Sequence, residues 1–307
     1  MITLTLDGRT VSVEEGDTLL DAATALGIDV PTICWAKHLT PVNACRMCVV
    51  ELEGARTLVA SCARRAEAGM VVHTNTERVR TSRKVVLELL ASSVDLSTAP
   101  KLAAWIEAYG ADVDRFGPKA EPTSDRDARQ TGDHHAPDGA TAATVAQPAK
   151  VDNGLFVRDY AKCVTCYKCV EACGTDAQNT FAIAIAGRGF DARVSVEFNA
   201  PLPDSACVYC GNCIAVCPTG ALMALSEYDL RKAGDWHEDR QTTTETICPY
   251  CGVGCTLALV VQDNRIVRVD SPEDSSVTRG NLCIKGRFGT TFVHEHGAKA
   301  PADAPSR

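Results

Sequence analysis

Sixteen cysteines fall into four groups of four, with none left over. The first is Cys34, Cys45, Cys48 and Cys62; the second Cys163, Cys166, Cys169 and Cys173. The third is Cys207, Cys210, Cys213 and Cys217; the fourth Cys248, Cys251, Cys255 and Cys283. Thiolates are soft ligands, and each group has a spacing used for iron–sulfur ligation. A chain that holds four such centres and little else is suited to moving electrons.

A disulfide scaffold is the simplest other use of many cysteines. It belongs mainly to secreted domains far shorter than these 307 residues. Met1 to Leu6 reads as an alternating strand and not as a signal peptide, and no stretch approaches the roughly 20 apolar residues that cross a bilayer. The expected compartment is therefore the reducing cytoplasm. A formal charge of −8 argues against nucleic acid. Aromatic residues are 5% of the chain, so much of the stability of each small unit should come from its metal centre.

The first group reads C-x10-C-x2-C-x13-C. Three ligands share or flank one loop and the fourth returns from a following strand, which suits a [2Fe–2S] rhomb with two thiolates on each iron. Zinc would favour two C-x2-C pairs, and one is present. The second and third groups are both C-x2-C-x2-C-x3-C, 44 residues apart. Two copies of an eleven-residue spacing leave little room for a zinc or disulfide reading. The fourth, C-x2-C-x3-C-x27-C, is open by spacing alone to a zinc ribbon or a [4Fe–4S] cubane, and Gly252 and Gly254 would let the backbone wrap such a centre closely.

The elements that must hold these groups follow from pattern. Ile2, Leu4 and Leu6 alternate, Asp7-Gly8 is a hairpin signal, and Val11 and Val13 resume the alternation. Asp17 is the expected cap of a helix carrying Leu19, Leu20, Ala23 and Leu26, with Gly27 at its end. Strands are expected at Met47–Leu52 and Thr57–Ala60. Helices are expected through 77–118, including Lys101 to Tyr109. Residues 119–150 read as a disordered linker, in which His134 and His135 are expected to be solvated. A hairpin is expected from Phe181–Ala186 and Val194–Phe198 around Gly187 and Gly189, then a helix over Ala221 to Lys232. Thr256–Gln262 and Arg265–Asp270 flank a tight turn at Asp263-Asn264, and a short disordered tail is expected at the end.

Several motifs carry family resemblances. ICWAKH and NACRMCVVE, with the first spacing, resemble the N-terminal domain shared by the largest iron–sulfur subunit of respiratory complex I, [FeFe]-hydrogenases, diaphorase iron–sulfur subunits of NAD-linked hydrogenases and NAD-dependent formate dehydrogenase alpha subunits. The resemblance covers residues 1 to about 90. Those families usually continue with a cluster on one histidine and three cysteines. Here that stretch, LELLASSVDLSTAPKL, holds neither, so the cluster is expected to be missing and Leu89 to Leu96 to serve packing. This departs from complex I subunits and typical hydrogenases.

Pro218 after Cys217 completes a run resembling bacterial ferredoxins; Gly174 replaces that proline in the earlier run. The resemblance implies that each fourth cysteine serves the other cluster: Cys163, Cys166, Cys169 and Cys217 on one cubane, Cys207, Cys210, Cys213 and Cys173 on the other. TICPYCGVGCTL and RGNLCIKGRFG resemble the N-terminal cluster domain of molybdopterin-dependent oxidoreductases, especially formate dehydrogenases and assimilatory nitrate reductases. That likeness implies that Lys285 lies between cluster and pterin. No cysteine follows Cys283 to bind molybdenum or tungsten, and neither a GxGxxG run after a strand nor a P-loop is present.

The fold expected is α+β: a β-grasp [2Fe–2S] domain (1–76), a helical segment (77–118), the linker (119–150), a two-[4Fe–4S] ferredoxin domain (151–235) and a small β-rich [4Fe–4S] domain of molybdopterin oxidoreductase type (243–297). The domain order resembles the N-terminal portion of a formate dehydrogenase alpha subunit. It implies one [2Fe–2S] and three [4Fe–4S] clusters that pass electrons between a molybdopterin-containing catalytic subunit and a flavin- and NAD-binding diaphorase subunit, with no substrate site in this chain. Other readings are a diaphorase-type subunit of an NAD-linked hydrogenase, a truncated inactive fragment of a molybdopterin enzyme, and a zinc-bound interaction protein.

Overall fold

The computed structural model describes residues 1–117, 149–188, 192–290 and 292–293. Most of the expected linker, with His134 and His135, lies outside them, as do Gly189 and the C-terminal tail.

Strands β1 (Ile2–Leu6) and β2 (Arg9–Val13) form an antiparallel hairpin. Asp7 and Gly8 both take positive φ, 50° and 77°, the turn that matches the right-handed strand twist. Helix α1 (Leu19–Ala25) then buries Leu19, Leu20, Ala22 and Ala23 in one apolar cluster with Leu4, Leu6 and Val72. Its cap is Thr18, one residue past the expected Asp17: Thr18 accepts from the Asp21 amide while Asp21 accepts from the Thr18 amide. This reciprocal box satisfies two orphan donors at once, whereas Asp17 accepts from the Glu14 amide. Gly27, φ 70°, follows the last turn as expected.

Strands β3 (Val49–Leu52), β4 (Val59–Ala60) and β5 (Val71–His73) complete a five-stranded sheet in the order β2-β1-β5-β3-β4. Helices α2 (Glu77–Ser93) and α3 (Pro100–Tyr109) pack beside it. Arg83 of α2 is buried and donates to the carbonyls of Met47 and Val49 at 3.0 and 2.9 Å. It also donates to the Tyr109 hydroxyl at 2.9 Å. One guanidinium therefore fixes both helices to the backbone on either side of Cys48. Leu87, Ala91, Val94 and Leu96 pack inward as expected, but Leu89 is 46% exposed.

Strand β6 (Phe156–Arg158) pairs with β9 (Leu222–Ala224). Ala221–Ala224 is thus not the start of the helix expected there; α6 begins at Leu225 and runs to Ala233. All three β9 residues are buried, and burial with a partner strand outweighs their local helix propensity. Short helices α4 (Lys168–Cys173) and α5 (Asn212–Ala215) follow corresponding cysteines of the two repeats. Strands β7 (Ala184–Ala186) and β8 (Arg193–Ser195) form a shorter hairpin than expected, leaving Phe181 and Phe198 exposed. The last unit is a three-stranded sheet of β10 (Gln241–Ile247), β11 (Thr256–Gln262) and β12 (Arg265–Asp270), followed by α7 (Ile284–Phe288). Asp263 and Asn264, φ 50° and 61°, make the expected turn. No helix among the described residues is long and apolar enough to cross a membrane.

The α2–α3 connection clasps the ferredoxin-like repeat at two points. The Asp95 amide donates to Ala161 O at 2.9 Å and the Thr98 hydroxyl to Thr219 O at 2.6 Å. Those carbonyls lie two residues before Cys163 and two after Cys217. Asp95 also pairs with the Lys162 ammonium. Burial opposes its ionisation, yet hydrogen bonds from Lys162 and Ser97 hold its carboxyl below the usual range. A lowered native pKa means that this stabilisation is complete above the unfolded carboxylate value and is lost as pH falls through the native one. Asp95→Asn leaves Lys162 with Asp159 at 3.6 Å. We expect it to cost about 2 kcal/mol near neutral pH, measured by urea unfolding, with the difference from wild type shrinking in acid.

Candidate metal centres

The sixteen cysteines are all free thiols. In the first group, pairing of Val49 with Ala60 brings the preceding Cys48 and the following Cys62 together, with 3.3 Å between sulfurs. The Cys45 amide donates to Cys34 Sγ at 3.4 Å. The four thus form two pairs. Within each pair the contact favours the thiolate on one sulfur and the thiol on the other: the hydrogen bond with Cys34 lowers Cys45 to about 5 and that with Cys62 lowers Cys48 to about 7, while Cys34 and Cys62 are pushed up. Two pairs of neighbouring thiols are what a [2Fe–2S] rhomb, with two thiolates on each iron, would need.

The second and third groups repeat one turn. Thr165 and Tyr167 take positive φ, as do Tyr209 and Gly211 at the corresponding positions. That geometry aims amides at sulfur: Thr165 N donates to Cys163 Sγ and Tyr209 N to Cys207 Sγ, both at 3.4 Å. The Lys168 and Asn212 amides act likewise on Cys166 and Cys210. Such donors stabilise negative charge on sulfur. Burial nevertheless dominates, raising Cys163 to about 12 and Cys166 to about 11, and pushing Cys169 and Cys213 up further. Desolvated thiols stay protonated unless a cation takes the proton's place, which is what iron does on binding.

Each run's fourth cysteine faces the other run. Cys217 acts electrostatically on Cys163, Cys166 and Cys169, and Cys173 on Cys207, Cys210 and Cys213.

In the fourth group, Cys248 and Cys255 flank the paired residues Ile247 and Thr256 at the mouth of the β10–β11 hairpin. Cys248 N donates to Cys255 O at 2.8 Å. Cys283 stands at the N-cap position of α7, with its side chain making no capping hydrogen bond. Gly254 takes φ 74°, and space is open around it and Gly252, as close wrapping requires. Cys248 is buried, whereas Cys251 and Cys283 are exposed. Lys285 is exposed on α7, two residues beyond Cys283.

Among the described residues, no three His, Cys, Asp or Glu side chains converge as one metal ion requires.

The groups lie in sequence order through space. Cys45 acts on Cys166, and both border one apolar cluster with Cys34 and Leu87. Cys213 acts on Cys169. Arg287, four residues past Cys283, donates to Cys210 O at 3.1 Å. The sequence alone gave no role to Arg287, which stands within RGNLCIKGRFG, and none to Asn212. Arg287's position inside that motif, four residues past Cys283, was the available signal. From the exposure ranking, anaerobic treatment with an iron chelator and iodoacetamide should label Cys251 and Cys283 before Cys163, Cys166 and Cys169; peptide mass mapping that finds all five labelled together contradicts the ranking.

Three domain families match this chain: a 2Fe-2S iron-sulfur cluster binding domain over residues 1–77, a 4Fe-4S dicluster domain over 162–221, and a molybdopterin oxidoreductase Fe4S4 domain over 241–295. An NADH-quinone oxidoreductase subunit of Rhizobium meliloti is 34% identical over 95% of the chain, and the alpha subunit of an NADPH-Fe(3+) oxidoreductase of Geobacter sulfurreducens 31% over 96%. The chain spans 32% of the length of each. A putative formate dehydrogenase of Staphylococcus aureus is 26% identical over 95% of the chain, which spans 31% of it. Among solved structures, a chain from the crystal structure of NAD+-reducing [NiFe]-hydrogenase in the H2-reduced state matches with a TM-score of 0.59 and 26% identity, covering 73% of this chain and 87% of that one. The chain thus carries iron–sulfur domains of both the 2Fe-2S and 4Fe-4S types.

Proposed function

We propose that this chain is the electron-transfer portion of an NAD(P)-linked oxidoreductase of the formate dehydrogenase type. In this reading Cys34, Cys45, Cys48 and Cys62 hold a [2Fe–2S] cluster. Cys163, Cys166, Cys169 and Cys217 hold one [4Fe–4S] cluster; Cys207, Cys210, Cys213 and Cys173 a second; Cys248, Cys251, Cys255 and Cys283 a third. Bound clusters supply one-electron transfer, and the protein supplies spacing and electrostatics. The observation that supports it is the order of the sets: the first shares an apolar cluster with Cys166 of the second, the second and third share another, and Arg287 ties the third loop to the helix after Cys283.

The residues have distinct tasks. Amides of Thr165 and Tyr209 hold charge on sulfur. Burial of Cys163, Cys166 and Cys169 keeps water from the middle of the series. The fourth set meets the surface at Cys251 and Cys283, beside exposed Tyr250, Val253 and Ile284. There we place the molybdopterin-containing catalytic part, with Lys285 facing the pterin. The flavin- and NAD-binding part lies toward the first set. The first sheet is read as a β-grasp, and sixteen free cysteines favour a reducing cytoplasm.

A hydrogenase setting is supported to a similar degree by the likeness to the NAD+-reducing [NiFe]-hydrogenase chain; the fourth unit would then be a structural dock. Anaerobic co-purification separates the two: a molybdenum or tungsten partner is expected, and a nickel partner favours the second.

Anaerobic protein should carry about fourteen irons, the sum over one [2Fe–2S] and three [4Fe–4S] clusters, and a colourless zinc-only product overturns the proposal. Cys217→Ser should weaken the EPR signal of the cubane on the Cys163 run and spare the one on its own run; the reverse pattern rejects the crossed assignment.

A further inference from the structure

We propose that Arg287 is a positioning residue that locks the third cysteine set to the fourth and raises the electron affinity of the third. The inference rests on the cluster reading above and goes beyond it, because it concerns a residue that ligates nothing.

Arg287 is only 5% exposed, and each nitrogen of its fork has a partner. Nε donates to Cys210 O at 3.1 Å, Nη1 to Val269 O at 3.0 Å and Nη2 to Asn212 Oδ1 at 3.4 Å. Asn212 Oδ1 also accepts from Leu282 N at 2.9 Å. The segment Cys210–Asn212 is thereby bonded to residues on both sides of Cys283. The fit is close. Gly211 sits at φ 72°, and a Cβ there would lie 2.9 Å from Arg287 Nε and 3.0 Å from Phe288 Cζ. Glycine is needed at that point both for its backbone angle and for the approach of the arginine. Phe288 continues the clamp by stacking on Phe156, with centroids 6.2 Å apart and planes 14° apart.

The charge of Arg287 is directed. It ends an alternating chain of ion pairs: Glu238–Arg231 at 3.1 Å, Arg231–Glu227 at 2.8 Å, Glu227–Arg268 at 3.4 Å, Arg268–Asp270 at 2.8 Å and Asp270–Arg287 at 3.6 Å. Asp270 lies closer to Arg268 than to Arg287. Arg287 therefore keeps a less compensated positive charge against the third set. Its field acts on Cys210 and Cys213, while Cys163 and Cys166 take their main electrostatic influences from other cysteines and Lys168. A fixed cation beside a centre that gains an electron favours the reduced form, more so where water is excluded.

The test is an EPR-monitored redox titration of the anaerobically purified full chain. Cys173→Ser and Cys217→Ser assign the two ferredoxin-like signals to their sets. Arg287→Gln should lower the electron affinity of the third-set cubane at least tenfold, 59 mV for one electron, and shift the Cys163-set cubane less. Asp270→Asn, which removes the counter-charge, should move the third-set potential the opposite way. Arg287→Lys, which keeps the charge, should restore most of the value. Should Arg287→Gln lose its clusters, the other two variants still decide the matter. An unchanged third-set potential in Asp270→Asn, or equal shifts of both cubanes in any variant, overturns the inference. Absence of iron–sulfur signals from wild-type protein would instead overturn the cluster reading.

Discussion

Gathering thiols away from water is the constraint on which the rest of this structure depends. Burial, reinforced by the neighbouring cysteines, raises the proton affinity of Cys163, Cys166, Cys169 and Cys213 above that of a free thiol. Such a site is comfortable only as neutral thiols or as thiolates facing strong positive charge. The fold answers with amides aimed at sulfur by left-handed residues, and it leaves the larger share of the compensation to iron. Folding and metal binding are then coupled. This accounts for four apolar clusters among the described residues with so few aromatic residues: each of them includes cysteines of at least one set.

The second consequence is contiguity. A short loop wrapping a cluster has little rigidity of its own, so its position must come from outside. Arg83 fixes the backbone on both sides of Cys48. Asp95 and Thr98 fasten the chain near Cys163 and Cys217, and Asn212 and Arg287 tie the third loop to the fourth. Buried polar groups are costly unless fully bonded, and here the cost is met at the junctions between cysteine sets. Rigid, dry junctions are what a series of one-electron centres requires, because distance and local charge govern its behaviour.

The electrostatics divide along the same line. In the first set the main influence on Cys45 and Cys48 comes from within, from the hydrogen bond to the paired sulfur that lowers each. The third has an external cation held in place by an ion-pair chain that reaches back to Glu238. The fourth is open to solvent at Cys251 and Cys283.

The cysteine sets, the repeat, and the turns at Asp7-Gly8 and Asp263-Asn264 were legible in the sequence because each depends on residues close together in the chain. Ligand spacing and left-handed turn residues are local requirements, so they leave local signatures. The cap at Thr18 was off by one residue because Asp17 and Thr18 are both good capping residues, and only the reciprocal bond with Asp21 decides between them. Leu222–Ala224 became a strand because Phe156–Arg158, more than sixty residues earlier, lies beside it. Arg83 and Arg287 look like ordinary surface arginines in the sequence; only folding brings backbone carbonyls of distant loops to them. The sequence by itself determined that sixteen thiols stand in four sets with cluster-type spacing. The tertiary structure alone decided which thiols face one another and which cations stand beside them, because charge and burial act through space and not along the chain.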